Sequence, residues 1–129
     1  MLNTSERIGV EKDIKRLKAE LRAARRNAGA NLKKEAGRLN LGRVVQTRGV
    51  SSKSRENRVF GKEVQDAFRK YQRGDWGDTE RDSVKRNNAV LKDGAEDQVF
   101  AVYNTSEGKM YIITEWDGSA TTMLFSHEY

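Results

Sequence analysis

The chain has 129 residues, enough for one domain with a small appendage, and only 36% are hydrophobic while 34% are charged, so the core is expected to be modest. It has no cysteine and no proline, which excludes a disulfide framework, a thiol nucleophile and any cysteine-held metal. The net charge of +6 is unevenly spread: residues 1–73 carry 20 Lys+Arg and 8 Asp+Glu, and residues 74–129 carry 5 and 11. A basic front of this kind is expected to meet an acidic partner, and the other reading is a solvated helix. No stretch approaches the roughly 18 apolar residues of a membrane helix. The opening "MLNTSERIGVEKD" lacks the apolar run of a signal peptide, so the cytoplasm is the expected location and no membrane partner is expected.

Residues 5–39 read as one long helix, capped at Thr4 or Ser5 and broken, if anywhere, at Gly29 or Gly37. Ile14, Leu17, Leu21, Ala24 and Ala28 recur at alternating spacings of three and four. They form a seam narrower than the apolar face of a helix on a globular core. Such a seam suits pairing with another helix, in this chain or in a second copy. Lys15, Lys18, Arg22 and Arg25 each follow a seam residue and make a basic stripe beside it. Arg26, Lys33, Lys34 and Arg38 add charge on other faces, and too few acids are present to pair them all.

"LGRVVQT" (41–47) is a β-branched run and reads as a strand. "RGVSSKSREN" reads as a polar, Ser-rich loop. Residues 57–72 read as a helix with Phe60, Val64, Phe68 and Tyr71 on one face, which Gly74 then ends. A shorter helix is expected over 79–91, with Thr79 and Asp82 resembling a capping box and Val84, Asn88 and Leu91 as a thin buried face. "DQVFAVYN" (97–104), "KMYIITEW" (109–116) and "ATTMLFS" (120–126) read as three strands joined by short Gly-containing links, which favour antiparallel hairpins. The expected fold class is α+β. A basic helical arm (1–40) precedes a domain (41–129) whose antiparallel sheet of three to four strands is covered by one or two helices.

The segment "GDWGD" (74–78) invites three chemistries. Asp75, Asp78 and Asp82 could hold a metal, yet an EF-hand loop needs alternating oxygen ligands and a Glu at its end, and Thr79-Glu80-Arg81 does not continue that pattern. A phosphate loop needs G-x-x-x-x-G-K-[ST], which is missing. The single histidine, His127, gives no basis for a His metal site or a Ser–His triad. The plainer reading is turn and cap chemistry, with Gly74, Asp75 and Asp78 shaping a corner. No catalytic residue, metal or cofactor is expected. Trp76 and Trp116 both sit among acids and are expected to be partly buried anchors that lock turns onto the sheet; exposed, either would be a protein-interface anchor.

"LGRVVQTRGV", "GDWGD", "AVLKDG" and "FAVYNTSEGKMYIITEWDGSATTMLFSHEY" occur in an order that resembles a family of small proteins carried by bacterial plasmids, conjugative elements and prophages. The resemblance covers residues 41–129 and rests on "IITEWD", "TT" and the terminal "EY". The chain departs from that pattern at Gly118, where the family is expected to have arginine. The first 40 residues match none of it. Members are usually uncharacterised or plasmid-related and some act as anti-CRISPR inhibitors, so the resemblance implies a non-enzymatic inhibitor that binds an RNA-guided type II effector nuclease, its guide RNA or its target DNA. The basic arm itself supports affinity for phosphates without base readout, since it carries no aromatic residue. A nucleic-acid-binding accessory protein and a module that self-associates through the Ile14–Ala28 seam are the other readings. An acidic nucleic-acid mimic, built on Asp93, Glu96, Asp97, Glu107, Glu115, Asp117 and Glu128, ranks below the basic arm.

Overall fold

The computed structural model describes residues 14, 15, 17 and 39–129. The α+β reading holds: within residues 39–129, three helices pack on one face of a four-stranded sheet. In chain order the elements are β1 (Arg43–Gln46), α1 (Arg48–Glu56), α2 (Arg58–Gln72), α3 (Arg81–Asp93), β2 (Val99–Thr105), β3 (Gly108–Thr114) and β4 (Ala120–Phe125), closed by a single 3-10 turn, Ser126–Glu128.

The three C-terminal strands form the expected antiparallel meander, β2 to β3 and β3 to β4. The fourth strand differs from the antiparallel expectation. β1 joins the free side of β4 in parallel, with Val44 opposite Thr121, so the sheet is mixed, in the order β1-β4-β3-β2. A parallel neighbour requires a long crossover, and the chain between β1 and β4, three helices followed by β2 and β3, supplies it.

The helix-facing side of the sheet carries Val99, Ala101, Tyr103, Met110, Ile112, Met123 and Phe125. They interlock with Val50, Phe60, Val64, Ala67, Tyr71, Trp76, Val90 and Leu91. Phe60 stacks on Phe125 at 5.3 Å. The face at i, i+4, i+7 and i+11 of α2 (Phe60, Val64, Ala67, Tyr71) is the buried one, and Phe68 packs at its margin.

The Ser-rich stretch 48–56 is a helix, not a loop. Only Val50 of α1 is buried, so no apolar period marks it in sequence. Its caps define it instead. The Thr47 hydroxyl accepts from Val50 N–H, and Asn57 then starts α2 by accepting from Val59 and Phe60 N–H at 3.0 and 3.3 Å. Glu128 supports the same junction. Its carboxylate, buried at the start of α1, accepts from the Thr47 hydroxyl and from Phe125 N–H, both at 2.8 Å. A Cβ on Gly49 would lie 2.6 Å from that carboxylate, so the close approach needs glycine.

Thr79 does not cap α3. Glu80 holds the N-cap position without a side-chain bond, because the Thr79 hydroxyl is engaged elsewhere: it donates to the Trp76 carbonyl and accepts from Val102 N–H. The buried face of α3 is Asn87, Val90 and Leu91, with Val84 at its edge. Leu39 and Leu41 pack against the core ahead of β1.

Candidate interaction surface

The GDWGD segment is a corner tied down at every residue. α2 ends with the Gly74 and Asp75 N–H groups bonding back to the Tyr71 and Lys70 carbonyls, the paired bonds of a Schellman cap. The Asp75 carboxylate accepts from Gly77 N–H, and its carbonyl accepts from the Tyr103 hydroxyl at 2.8 Å. Trp76 is 5% exposed, lies edge-on to Tyr71 at 5.5 Å, and donates its indole N–H to Asn88 Oδ1 at 2.8 Å. Gly77 has φ +61° and bridges to Val102, where a Cβ would meet the Tyr103 ring at 2.5 Å. Asp78 donates its N–H to the Val102 carbonyl and accepts Asn104 N–H on its carboxylate at 2.9 Å.

These bonds place both aspartates in turn chemistry, and Trp76 is a buried anchor that contacts α2 through Tyr71 and α3 through Asn88 within the core cluster. Among the described residues no group of three or more His, Cys, Asp or Glu could hold a metal ion.

Trp116 differs from the expected buried anchor. It is 59% exposed, the most exposed aromatic side chain after Tyr129. It sits in the link between β3 and β4, a turn closed by Gly118 N–H to the Glu115 carbonyl at 2.8 Å and by the Asp117 carboxylate accepting Ser119 N–H at 3.0 Å. Gly118 has φ +69°, and a Cβ there would lie 3.1 Å from the Asn40 carbonyl. The arginine of the resembling pattern would therefore be strained at this place, and this chain carries the residue its backbone conformation favours. The turn presents Trp116 between Glu115 and Asp117 on a short, bonded support. The Asp-Gly pair inside a hairpin link was the sequence signal that the tryptophan beside it stands at a tip.

Of the basic positions, Lys15 is described and is exposed, while its neighbours Ile14 and Leu17 are helical and half-buried. Lys18, Arg22, Arg25, Arg26, Lys33, Lys34 and Arg38, and the seam residues Leu21, Ala24 and Ala28, lie outside the described residues, as does the rest of the expected helix up to residue 38; Leu39, its expected last residue, is not helical.

Two buried phenols have perturbed acidities. Burial raises the Tyr71 hydroxyl well above the ordinary tyrosine value, against the lowering effect of its hydrogen bond to Thr114. Tyr103 is raised by burial first and by the nearby Tyr71 and Asp75 second. Both hydroxyls are bonded within the fold, at 2.6 Å to Thr114 and at 2.8 Å to the Asp75 carbonyl, and serve packing. No helix among the described residues is long and apolar enough to cross a membrane. Comparison with family models, curated proteins and solved structures finds no match to this chain.

Proposed function

We propose that this chain is a mobile-element protein that binds and blocks an RNA-guided effector nuclease of the type II kind, with no chemistry of its own. The observation that carries the reading is Trp116, held out to solvent by a bonded turn. Exposed tryptophans on rigid supports are the commonest anchors of protein interfaces. The order of "GDWGD", "IITEWD", "TT" and "EY" resembles the plasmid and prophage family of which some members are anti-CRISPR inhibitors, and the excess of Lys and Arg in residues 1–73 suits the nucleic acid such an effector holds. The test is target cleavage in vitro by purified effector and guide. Added protein is expected to stop cleavage at near-stoichiometric amounts. Failure to bind either effector or guide complex at micromolar concentration overturns the proposal.

A second reading is a stand-alone nucleic-acid-binding accessory protein. The observation in its favour is the outward Lys15 between two half-buried seam residues. It predicts binding to bare DNA or RNA that weakens steeply with salt, and that disappears when Lys15, Lys18, Arg22 and Arg25 are all replaced by Gln.

A further inference from the structure

The sheet has a second face, and that face is not polar. Opposite the helices lie Phe100, Tyr111, Ile113, Leu124 and Val45, by the alternation of side chains along each strand. Phe100, Tyr111 and Tyr129 form an edge-to-face row at 4.8 and 6.0 Å. Ile113 and Leu124 are only 5% and 1% exposed, although they point away from α1, α2 and α3. Something other than those helices covers them.

We infer that the cover is supplied by the chain's own helical residues Ile14 and Leu17, and that this intramolecular seat, rather than a second copy, is what these two seam residues occupy. Ile14 lies in one cleft with Ile113, Thr122, Leu124 and Tyr129. It also lines, with Leu17, a second cleft of about 310 Å³ against Val45, Thr47, Arg48 and Thr122. Ile14 thus straddles β3, β4 and β1. Residues three apart share one side of a helix, so one turn can set both side chains on the sheet. Lys15 is turned off that side, and it is exposed while its two neighbours are half-buried. Removing the apolar surface of Ile14, Leu17, Ile113 and Leu124 from water is the driving force. In sequence, Lys18, Arg22 and Arg25 keep the offset from the seam that Lys15 shows. The seat therefore closes an apolar face that would otherwise invite aggregation.

The inference does not rest on the proposed inhibition, and its test needs neither effector nor nucleic acid. An equimolar mixture of isotope-labelled and unlabelled full-length protein separates contacts within a chain from contacts between chains by filtered nuclear Overhauser spectra. Methyl cross-peaks from Ile14 to Leu124 and from Leu17 to Val45 are expected within one chain, in a protein that sediments as a monomer. The double variant Ile14→Asp, Leu17→Asp is expected to bind an apolar dye several-fold more strongly and to melt several degrees lower, while the conservative single variant Ile14→Leu leaves both as in the wild type. Cross-peaks only between chains, with concentration-dependent sedimentation, assign the seam to a second copy and overturn the inference. So does the lack of any cross-peak in the folded wild-type protein, or a double variant indistinguishable from it.

Discussion

Tyr71, Thr114 and Thr121 form a chain of buried hydroxyls with one direction of donation. Thr121 gives its proton to the Leu41 carbonyl at 2.8 Å, so it accepts from Thr114 at 2.7 Å, which in turn accepts from Tyr71 at 2.6 Å. Each oxygen has one proton, and each proton has a role, which ties α2 through β3 and β4 to the segment leading into β1. A tyrosine in this position must stay protonated, and burial holds Tyr71 and Tyr103 neutral well beyond the ordinary value of 10.0. The unfolded chain ionises these phenols near that value while the folded chain keeps both protons. Their contribution to stability is therefore complete below pH 10 and is lost as pH rises beyond it. In a spectrophotometric titration, two of the four tyrosines are expected to ionise only together with unfolding. Tyr71→Phe should cost about 1 kcal/mol at neutral pH, for the lost hydrogen bond, and should lessen the alkaline fall in melting temperature. Normal titration of all four in the folded protein would contradict this account.

At the scale of elements, the outer edge of β2 is sealed by polar side chains. The Asn87 amide donates to the Phe100 carbonyl at 2.8 Å and accepts its N–H at 3.1 Å, as a neighbouring strand would. Asp78 and Thr79 do the same for Val102, and the Asp78 carboxylate takes the N–H of Asn104. An open edge on an apolar sheet is a template for pairing with another molecule. Asn87→Leu keeps the branching of the side chain, although it is bulkier, and removes both bonds, leaving the part-buried Phe100 peptide unmet. It is expected to cost about 1–3 kcal/mol in urea unfolding and to promote self-association visible by light scattering; a variant as stable and as monodisperse as wild type would show the edge is protected by something else. This edge explains what could be read in the sequence and what could not. Strands β2 to β4 and helix α2 announce themselves by apolar period and Gly-containing links, and GDWGD reads correctly as a corner. Thr79 reads as a helix cap because local chemistry favours one, yet a strand 23 residues further on uses its hydroxyl instead. Helix α1 and the parallel partner of β1 leave no local trace. The first depends on Thr47 and Asn57 at its ends, the second on where the chain returns. For the surface residues, the two tryptophans have similar acidic neighbours but opposite exposures, since one lies between two helices and the other at a hairpin tip.

Across the whole molecule, the two features that the proposed reading assigns to partner binding act over different distances. Exposed Arg55, Arg58, Lys62, Arg69, Lys70 and Arg73 extend the basic character of the arm onto α1, α2 and the turn that ends α2, whereas the turn bearing Trp116 lies between Glu115 and Asp117. Charge attraction reaches about 10 Å at 0.1 M salt, while an apolar anchor acts only on contact. On the proposed reading, the basic stripe speeds the encounter with an effector–guide complex and Trp116 slows its departure. Replacing Lys15, Lys18, Arg22 and Arg25 by Gln is expected to lower the association rate about tenfold or more at low salt and to flatten its salt dependence, with dissociation nearly unchanged. Trp116→Ala should instead raise the dissociation rate by roughly tenfold or more, equally at low and high salt, without lowering the melting temperature, because the side chain packs little against its own fold. Kinetics on immobilised effector–guide complex at two ionic strengths distinguish the two. If Trp116→Ala leaves dissociation untouched while the Gln variant abolishes binding, the arm alone holds the partner, and the accessory nucleic-acid-binding reading takes the place of inhibition through a protein contact.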